Sequence, residues 1–171
     1  MREIKIEDLK FNPITAFRDD WVLVSAGNKD AYNTMTISWG HLGLLWSKRP
    51  KNRYVASCYI RPQRYTKEFM DKEDYFTLSF FEKKDHKELA YLGSHSGRDE
   101  DKVSKVGYKA SFENNYTYFD NAKMVIFCRK IYNDRFNPEL VKDPAIFSET
   151  YPLKDYHYLY IGEIEKIYIR D

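Results

Sequence analysis

The sequence has little cysteine, glycine or proline, and it has no long apolar run. It contains two cysteines, seven glycines and six prolines in 171 residues. Cys58 and Cys128 give neither a disulfide framework nor a metal-ligand spacing, and their apolar neighbours indicate buried thiols. No stretch approaches the roughly 20 apolar residues of a membrane helix, and residues 1–5 are too charged for a signal peptide. A cytoplasmic protein without a membrane span is therefore the default expectation.

A strong net charge is also missing. The formal charge is +2, which is too small to indicate a nucleic-acid or membrane partner. The sequence contains no nucleophile elbow, no Walker loop and no Rossmann glycine fingerprint. No Pro/Gly/Ser-rich linker divides the chain, so we predict one domain over residues 1–171.

What the chain does have is aromatic residues and short apolar runs. Fifteen tyrosines and eleven phenylalanines favour strands. The patterns predict strands over residues 21–26, 34–39, 54–60, 75–81, 124–132 and 158–169, and short helices over 66–71, 85–93 and 99–106. Thr66 and Asp85 are the expected helix caps, the second with Glu88 in a capping box, and residues 133–156 are expected to be rich in loops. Six or seven strands and few helices predict a mainly β protein with an antiparallel barrel.

Three polar segments are candidates for ligand binding. In residues 61–66 two arginines and Thr66 follow the end of a strand, which suits a phosphate but equally suits a solvated turn. Residues 33–39 form a polar strand that can hydrogen-bond a flat ligand or simply be amphipathic. Residues 94–102 combine small residues with charges, as in an anion-binding loop or an ordinary solvated one.

His157 is the candidate for acid–base chemistry. It precedes the last predicted strand, and a histidine can titrate near neutrality, although a structural role fits equally well. The other three histidines form no metal spacing with a cysteine or an acid, so we predict no metal site.

Taken together and in order, these segments resemble the flavin reductase-like family, whose fold is a split β-barrel that binds flavin mononucleotide (FMN). The matching segments are residues 33–39, 60–66 and 96–102, followed by Tyr151-Pro152, Asp155-Tyr156-His157 and residues 161–164. The similarity extends from about residue 21 to residue 167.

The resemblance implies a set of cofactor-binding residues and a homodimer. The flavin ring and ribityl chain are expected along Asn33, Met35, Thr36 and Ser38, with Trp39 packed nearby. The phosphate is expected at Arg64 and Thr66, with Arg61 and Tyr65 close by. Ser96 and Lys102 are expected to close the site. Lys102 either binds phosphate or favours the anionic reduced flavin, and His157 is expected near the redox-active edge as the catalytic residue.

The implied function is an FMN-containing, NADH- or NADPH-dependent flavin reductase. Electrons would pass through the flavin to a small-molecule or protein acceptor. The alternatives are an FMN-binding electron carrier without its own NAD(P)H oxidase activity, and a barrel that binds nucleic acid through exposed aromatics and arginines, which the near-neutral charge disfavours. The segment 47–53 is longer and more basic than the family leads us to expect, so partner choice would differ if that loop bordered the flavin.

Overall fold

The computed structural model describes residues 1–170, and most of their regular structure is antiparallel strand. The strands are β1 (Arg2–Ile4), β2 (Val22–Gly27), β3 (Tyr32–Ile37), β4 (Gly40–Leu44), β5 (Tyr54–Ile60), β6 (Tyr75–Phe80), β7 (Ala110–Glu113), β8 (Tyr116–Phe119), β9 (Met124–Arg135) and β10 (Tyr158–Ile169). The helices are α1 (Pro13–Thr15, continuing as a π-helix over Ala16–Asp20), α2 (Tyr65–Lys72), α3 (His86–Ser94), α4 (Lys102–Lys105) and α5 (Ala145–Thr150), with 3-10 turns at Ile6–Asp8, Lys83–Asp85 and Pro138–Leu140. This confirms the mainly β class. No helix within residues 1–170 has both the length and the apolarity needed to cross a membrane.

One curled antiparallel sheet organises the chain. Its strand order is β3-β2-β6-β9-β10-β5-β4, and β1 pairs with the end of β10. The two outer strands, β3 and β4, follow each other in sequence through Ser38 and Trp39 but do not pair with each other in this order. The barrel is therefore split along this seam, where β3 has a strand neighbour on one side only within residues 1–170.

Two hydrophobic cores cover the two faces of the sheet. Along β2, Val22 and Val24 point into the first core while Leu23 points into the second. Side chains alternate between faces along a strand, so a strand buried on both faces needs an uninterrupted apolar sequence. The second core lies under α3, α4 and the β7–β8 hairpin. Thr117 ties this hairpin to the sheet by donating to the Gly27 carbonyl at 2.9 Å.

Several elements differ from the sequence prediction. Strands β1, β4, β7 and β8 were not predicted, so the count of six or seven strands is wrong. Strand β9 runs on to Arg135, and α5 lies within the segment expected to be loop. Strand β4 has two glycines in five residues and no β-branched side chain. It is extended because all five of its residues pair with β5.

The helix starts also need correction. Helix α2 begins at Tyr65 with Arg64 at the N-cap, so Thr66 is inside the helix rather than its cap. The capping box before α3 is formed by Glu82 and Asp85, not by Asp85 and Glu88. Helix α4 is shorter than predicted and is capped by Asp101, whose carboxylate accepts from the Ser104 N–H at 3.1 Å.

Candidate functional site

Two adjoining pockets at the split of the barrel contain every predicted site residue. The outer one, here the ring pocket, has a volume of about 200 Å³, and the inner one, here the anion pocket, about 110 Å³. Met35 and Arg64 line both pockets. The predicted residues in the ring pocket are Met35, Thr36, Ser38, Trp39, Arg61, Arg64 and His157. Those in the anion pocket are Asn33, Met35, Arg64, Tyr65, Thr66, Ser96 and Lys102.

Lys102 is the most unusual charge in the anion pocket. Only 3% of this residue is exposed, and its ammonium donates to the Leu92 carbonyl at 2.7 Å and to the His95 carbonyl at 2.9 Å. Burial, reinforced by repulsion from Arg64, lowers the pKa of Lys102 to about 8, and the charge of Glu100 opposes this only in part. A buried ammonium held by neutral carbonyls leaves net positive charge in the pocket.

Arg64 supplies the second cation. Its Nη1 donates to the Gly93 carbonyl at 3.2 Å, which fixes the guanidinium at the start of α2. Within residues 1–170, neither Arg64 nor Lys102 makes an ion pair with a carboxylate. The first N–H groups of an α-helix have no partner inside the helix and favour an anion. The anion pocket therefore has the donors and the charge that a phosphate needs.

Asn33 and Thr66 form the floor of the anion pocket. The Asn33 amide donates to the Thr66 hydroxyl at 2.8 Å, and both residues are buried. Gly97 lies directly on this pair, because a Cβ at that position would approach the Asn33 Oδ1 to 2.4 Å. The loop before α4 thus needs glycine at this point in order to close over β3.

Arg61 is engaged differently from Arg64. It forms an ion pair with Asp155 and also donates to the Thr150 carbonyl at 3.0 Å. Gln63 donates to the same Asp155 carboxylate at 2.9 Å. The pKa of Asp155 is lowered mainly by this hydrogen bond and then by the one from Arg61. Arg61 therefore lines the ring pocket while its charge is offset by its own partner.

His157 lines the ring pocket and packs against Trp39. The two ring centroids are 4.6 Å apart, and His157 Nδ1 is 2.8 Å from the Tyr151 hydroxyl. Burial, followed by repulsion from Arg61, lowers the pKa of His157 to about 4. The imidazole is accordingly neutral at neutral pH, so it can accept or donate a hydrogen bond there but does not hold an acidic proton.

The structure adds residues to the site that the sequence interpretation missed. Tyr59 lines the ring pocket and Gly93 lines the anion pocket, whereas His95 and Gly97 belong to the predicted segment 94–102. Tyr59 stands one residue before the end of β5, and its position close to Arg61 in the chain was the one available signal. Gly93 touches the pocket through its backbone, which sequence patterns do not report.

The basic segment 47–53 lines neither pocket. It is the connection between β4 and β5, and Arg53 is 3.4 Å from the Glu163 carboxylate. The structure therefore gives no contact between this loop and the two pockets, and the expectation about partner choice, which was conditional on such a contact, gains no support from them.

No metal or disulfide contributes to the site within residues 1–170. No cluster of three or more His, Cys, Asp or Glu side chains is close enough to hold an ion in this part of the chain. Cys58 and Cys128 are buried and unpaired, as the sequence predicts, and burial raises the pKa of both thiols.

Comparisons with known proteins agree with this architecture. A family model described as "Flavin reductase like domain" matches residues 16–171. The flavoredoxin from Methanosarcina acetivorans is structurally similar with a TM-score of 0.66 and 18% identity, over 100% of this chain and 77% of that chain. An FMN-binding protein from Thermus thermophilus gives a TM-score of 0.66 and 18% identity, over 100% and 83%. The styrene monooxygenase flavin reductase from Pseudomonas putida S12 gives 0.60 and 12%, over 90% and 80%. A search of curated proteins finds no match.

The fold and the two pockets define an antiparallel split barrel with an electropositive site at its opening. Because the family match covers nearly the whole chain, the protein belongs to the flavin reductase-like family. The structural relatives, all at low identity, establish the split-barrel fold.

Proposed function

We propose that this protein binds FMN and acts as an NAD(P)H-dependent flavin reductase. The observation that carries the proposal is the anion pocket, where the buried Lys102 and the exposed Arg64 lie together and neither forms an ion pair with a carboxylate of the described residues. A phosphate would relieve their repulsion and bond to both. Flavoredoxin, FMN-binding proteins and flavin reductases are among the structural relatives, which supports the same cofactor class.

In this proposal the phosphate lies among Arg64, Lys102, Ser96 and the first turn of α2. Thr66 can join them, because its hydroxyl accepts from Asn33 and keeps its own O–H to donate to a phosphate oxygen. Arg61 is a ring-pocket residue rather than a phosphate ligand, since Asp155 holds its guanidinium.

The isoalloxazine lies in the ring pocket along the unpaired edge of β3. Residues 35–38 line that pocket. An edge strand presents alternating N–H and C=O groups, which match the donors and acceptors on the rim of a flat heterocycle. The seam of the split barrel is thus the natural place for the ring.

FMN, once bound, supplies the hydride and electron chemistry. The chain holds and orients it, and it surrounds the ring with Trp39 and His157. His157 is the residue proposed at the redox-active edge. Its low pKa means that it acts there by packing and neutral hydrogen bonding rather than as a general acid.

The donor is tested by reconstituting the purified protein with FMN and adding NADH or NADPH without oxygen. Rapid loss of the oxidised flavin absorbance with either nucleotide supports the reductase. A bound flavin that neither nucleotide bleaches, but that dithionite does, refutes NAD(P)H dependence and favours the electron carrier. A preparation that cannot be loaded with FMN refutes both the flavin reductase and the FMN-binding electron carrier. We further propose that the protein is cytoplasmic and forms a homodimer. Gel filtration with light scattering tests the homodimer directly.

A further inference from the structure

A separate cavity of about 670 Å³ opens beside the ring pocket. It lies between the N-terminal helical segment, the corner from β3 to β4, and the stretch from Phe136 to Tyr151. The ring of Phe17 forms part of its wall directly against Gly40, where a Cβ would meet that ring at 2.2 Å. Its volume is in the range of small-molecule sites, roughly 300–1,000 Å³.

The cavity shares part of its wall with the ring pocket. Ser38, Trp39 and Tyr59 line both spaces. A molecule in the cavity would therefore share these walls with whatever occupies the ring pocket. The cavity therefore adjoins the pocket proposed for the flavin ring.

The chemistry of the walls selects an uncharged aromatic occupant. The cavity is lined largely by aromatic and aliphatic side chains, with Tyr59 and Phe136 packed at 5.4 Å between ring centroids. Among the described lining residues, Arg18 carries the one permanent charge, and Asp19 binds its guanidinium at 2.6 and 2.9 Å. A charged ligand would lose its hydration here without gaining a free counter-charge.

One polar group is placed to orient such a ligand. His41 Nδ1 is 3.1 Å from the Tyr59 hydroxyl and 3.4 Å from the Ser57 hydroxyl. No hydrogen bond of the described residues involves His41 Nε2. In the tautomer that carries its proton there, this nitrogen is a donor whose natural partner is a carbonyl oxygen.

We propose that this cavity binds an uncharged aromatic carbonyl compound of the quinone type. Its ring packs against Trp39 and Tyr59, and its oxygen accepts a hydrogen bond from His41. The proposal rests on the proposed function, because the ligand is meant to lie against a flavin ring in the neighbouring pocket.

The test is a titration with menadione, a neutral naphthoquinone, followed by calorimetry and by quenching of tryptophan fluorescence. Both FMN-loaded and FMN-free protein are titrated, and FMN affinity is measured separately. The two cysteines are fully buried, so thiol addition does not compete. We expect saturable one-site binding in both forms, and tighter binding than for the anionic naphthoquinone sulfonate.

Two aspartate variants provide the matched comparison. Ile146→Asp puts a charge into the cavity wall and should weaken menadione binding by at least about tenfold. Leu153→Asp makes the same change at a residue that is 82% exposed outside the cavity, and it should leave menadione binding unchanged. Both should retain FMN affinity. His41→Phe, which keeps a ring but removes the donor, should weaken menadione by about tenfold while naphthalene, which has no carbonyl, binds as before.

Several outcomes overturn the proposal. Equal or tighter binding of the sulfonate refutes an uncharged ligand, and equal effects of the two aspartate variants place the ligand elsewhere. A titration that shows no menadione binding refutes the proposal, and it indicates a cavity that is closed, for example by a second copy of the chain. Loss of FMN binding with intact menadione binding would refute the proposed function and leave the cavity assignment standing.

Discussion

Replacing Lys102 by methionine tests the anion pocket most directly. The ammonium has three N–H donors, and the carbonyls of Leu92 and His95 occupy two of them. The third remains for a phosphate oxygen. A hydrogen bond to a charged group contributes about 1.5–3 kcal/mol, so Lys102→Met should raise the FMN dissociation constant roughly 10- to 150-fold.

The pH dependence gives this prediction a second, independent signature. Burial lowers the pKa of Lys102 to about 8, so below that pH the free protein already carries the charge that binds phosphate. Above it, binding must first take up a proton, and affinity should fall by up to about tenfold per pH unit. Lys102→Met should lack this decline. FMN affinity should be measured by flavin fluorescence quenching from about pH 7 upward. In this range the phosphate stays dianionic, because its second pKa is about 6.

Lys105→Met is the matched control, because Lys105 is exposed on the same short helix. Its FMN affinity and pH profile should equal those of the unaltered protein. The reasoning fails if Lys102→Met binds FMN normally while folded by circular dichroism. It also fails if the unaltered protein shows constant affinity well above pH 8.

Three further predictions concern neighbouring residues. Arg64→Ala should weaken FMN binding by about 1.5–3 kcal/mol. Arg61→Ala should weaken it clearly less, because the Arg61 guanidinium already has its own carboxylate partner. Equal losses of FMN affinity in calorimetric titrations of the two variants would contradict this difference. Gly97→Ala should lower FMN affinity by displacing the amide beneath it, while Gly43→Ala, where a Cβ meets nothing within 4 Å, should not; a neutral Gly97→Ala titration would count against the packed loop. His157 should remain neutral in proton NMR titrations until the pH approaches about 4. Since this pKa is depressed on folding, its contribution to stability is present above about pH 6.5 and is lost as pH falls toward 4; an imidazole that titrates at pH 6 or above would refute it.

Strands β2 and β10 were predictable because their own sequences carry the pattern of a strand. The run at β2 is apolar without interruption, and the alternation in β10 marks its whole length from Tyr158 to Ile169. Strand β4 was not predictable, because Gly40 and Gly43 oppose a strand and only the neighbouring β5 makes it one. Pairing across a sheet is a tertiary effect that local propensity does not contain.

The site divides in a similar way. The phosphate-type chemistry of Arg64 is visible in its segment, and the order of motifs assigned Lys102 to the same place. Nothing local shows that Arg61 is held by Asp155, which is 94 positions away in sequence. The depressed pKa of His157 has the same origin, since burial and distant cations cause it. The sequence therefore suggested which residues come together in the site. Only the fold shows which of them already have a hydrogen-bond or ion-pair partner within the protein.

The anion pocket lies between elements that are anchored in different hydrophobic cores. Helix α2 is anchored in the first core through Met70, whereas α3 and α4 are anchored in the second through Leu92 and Val103. These elements already meet where Arg64 donates to the Gly93 carbonyl of α3, and a phosphate bonded to both Arg64 and Lys102 would add a second link. Ligand that binds only the folded state adds its binding free energy to stability. The cofactor would then act as a cross-link between elements anchored in the two cores, and its release would weaken the contact between them.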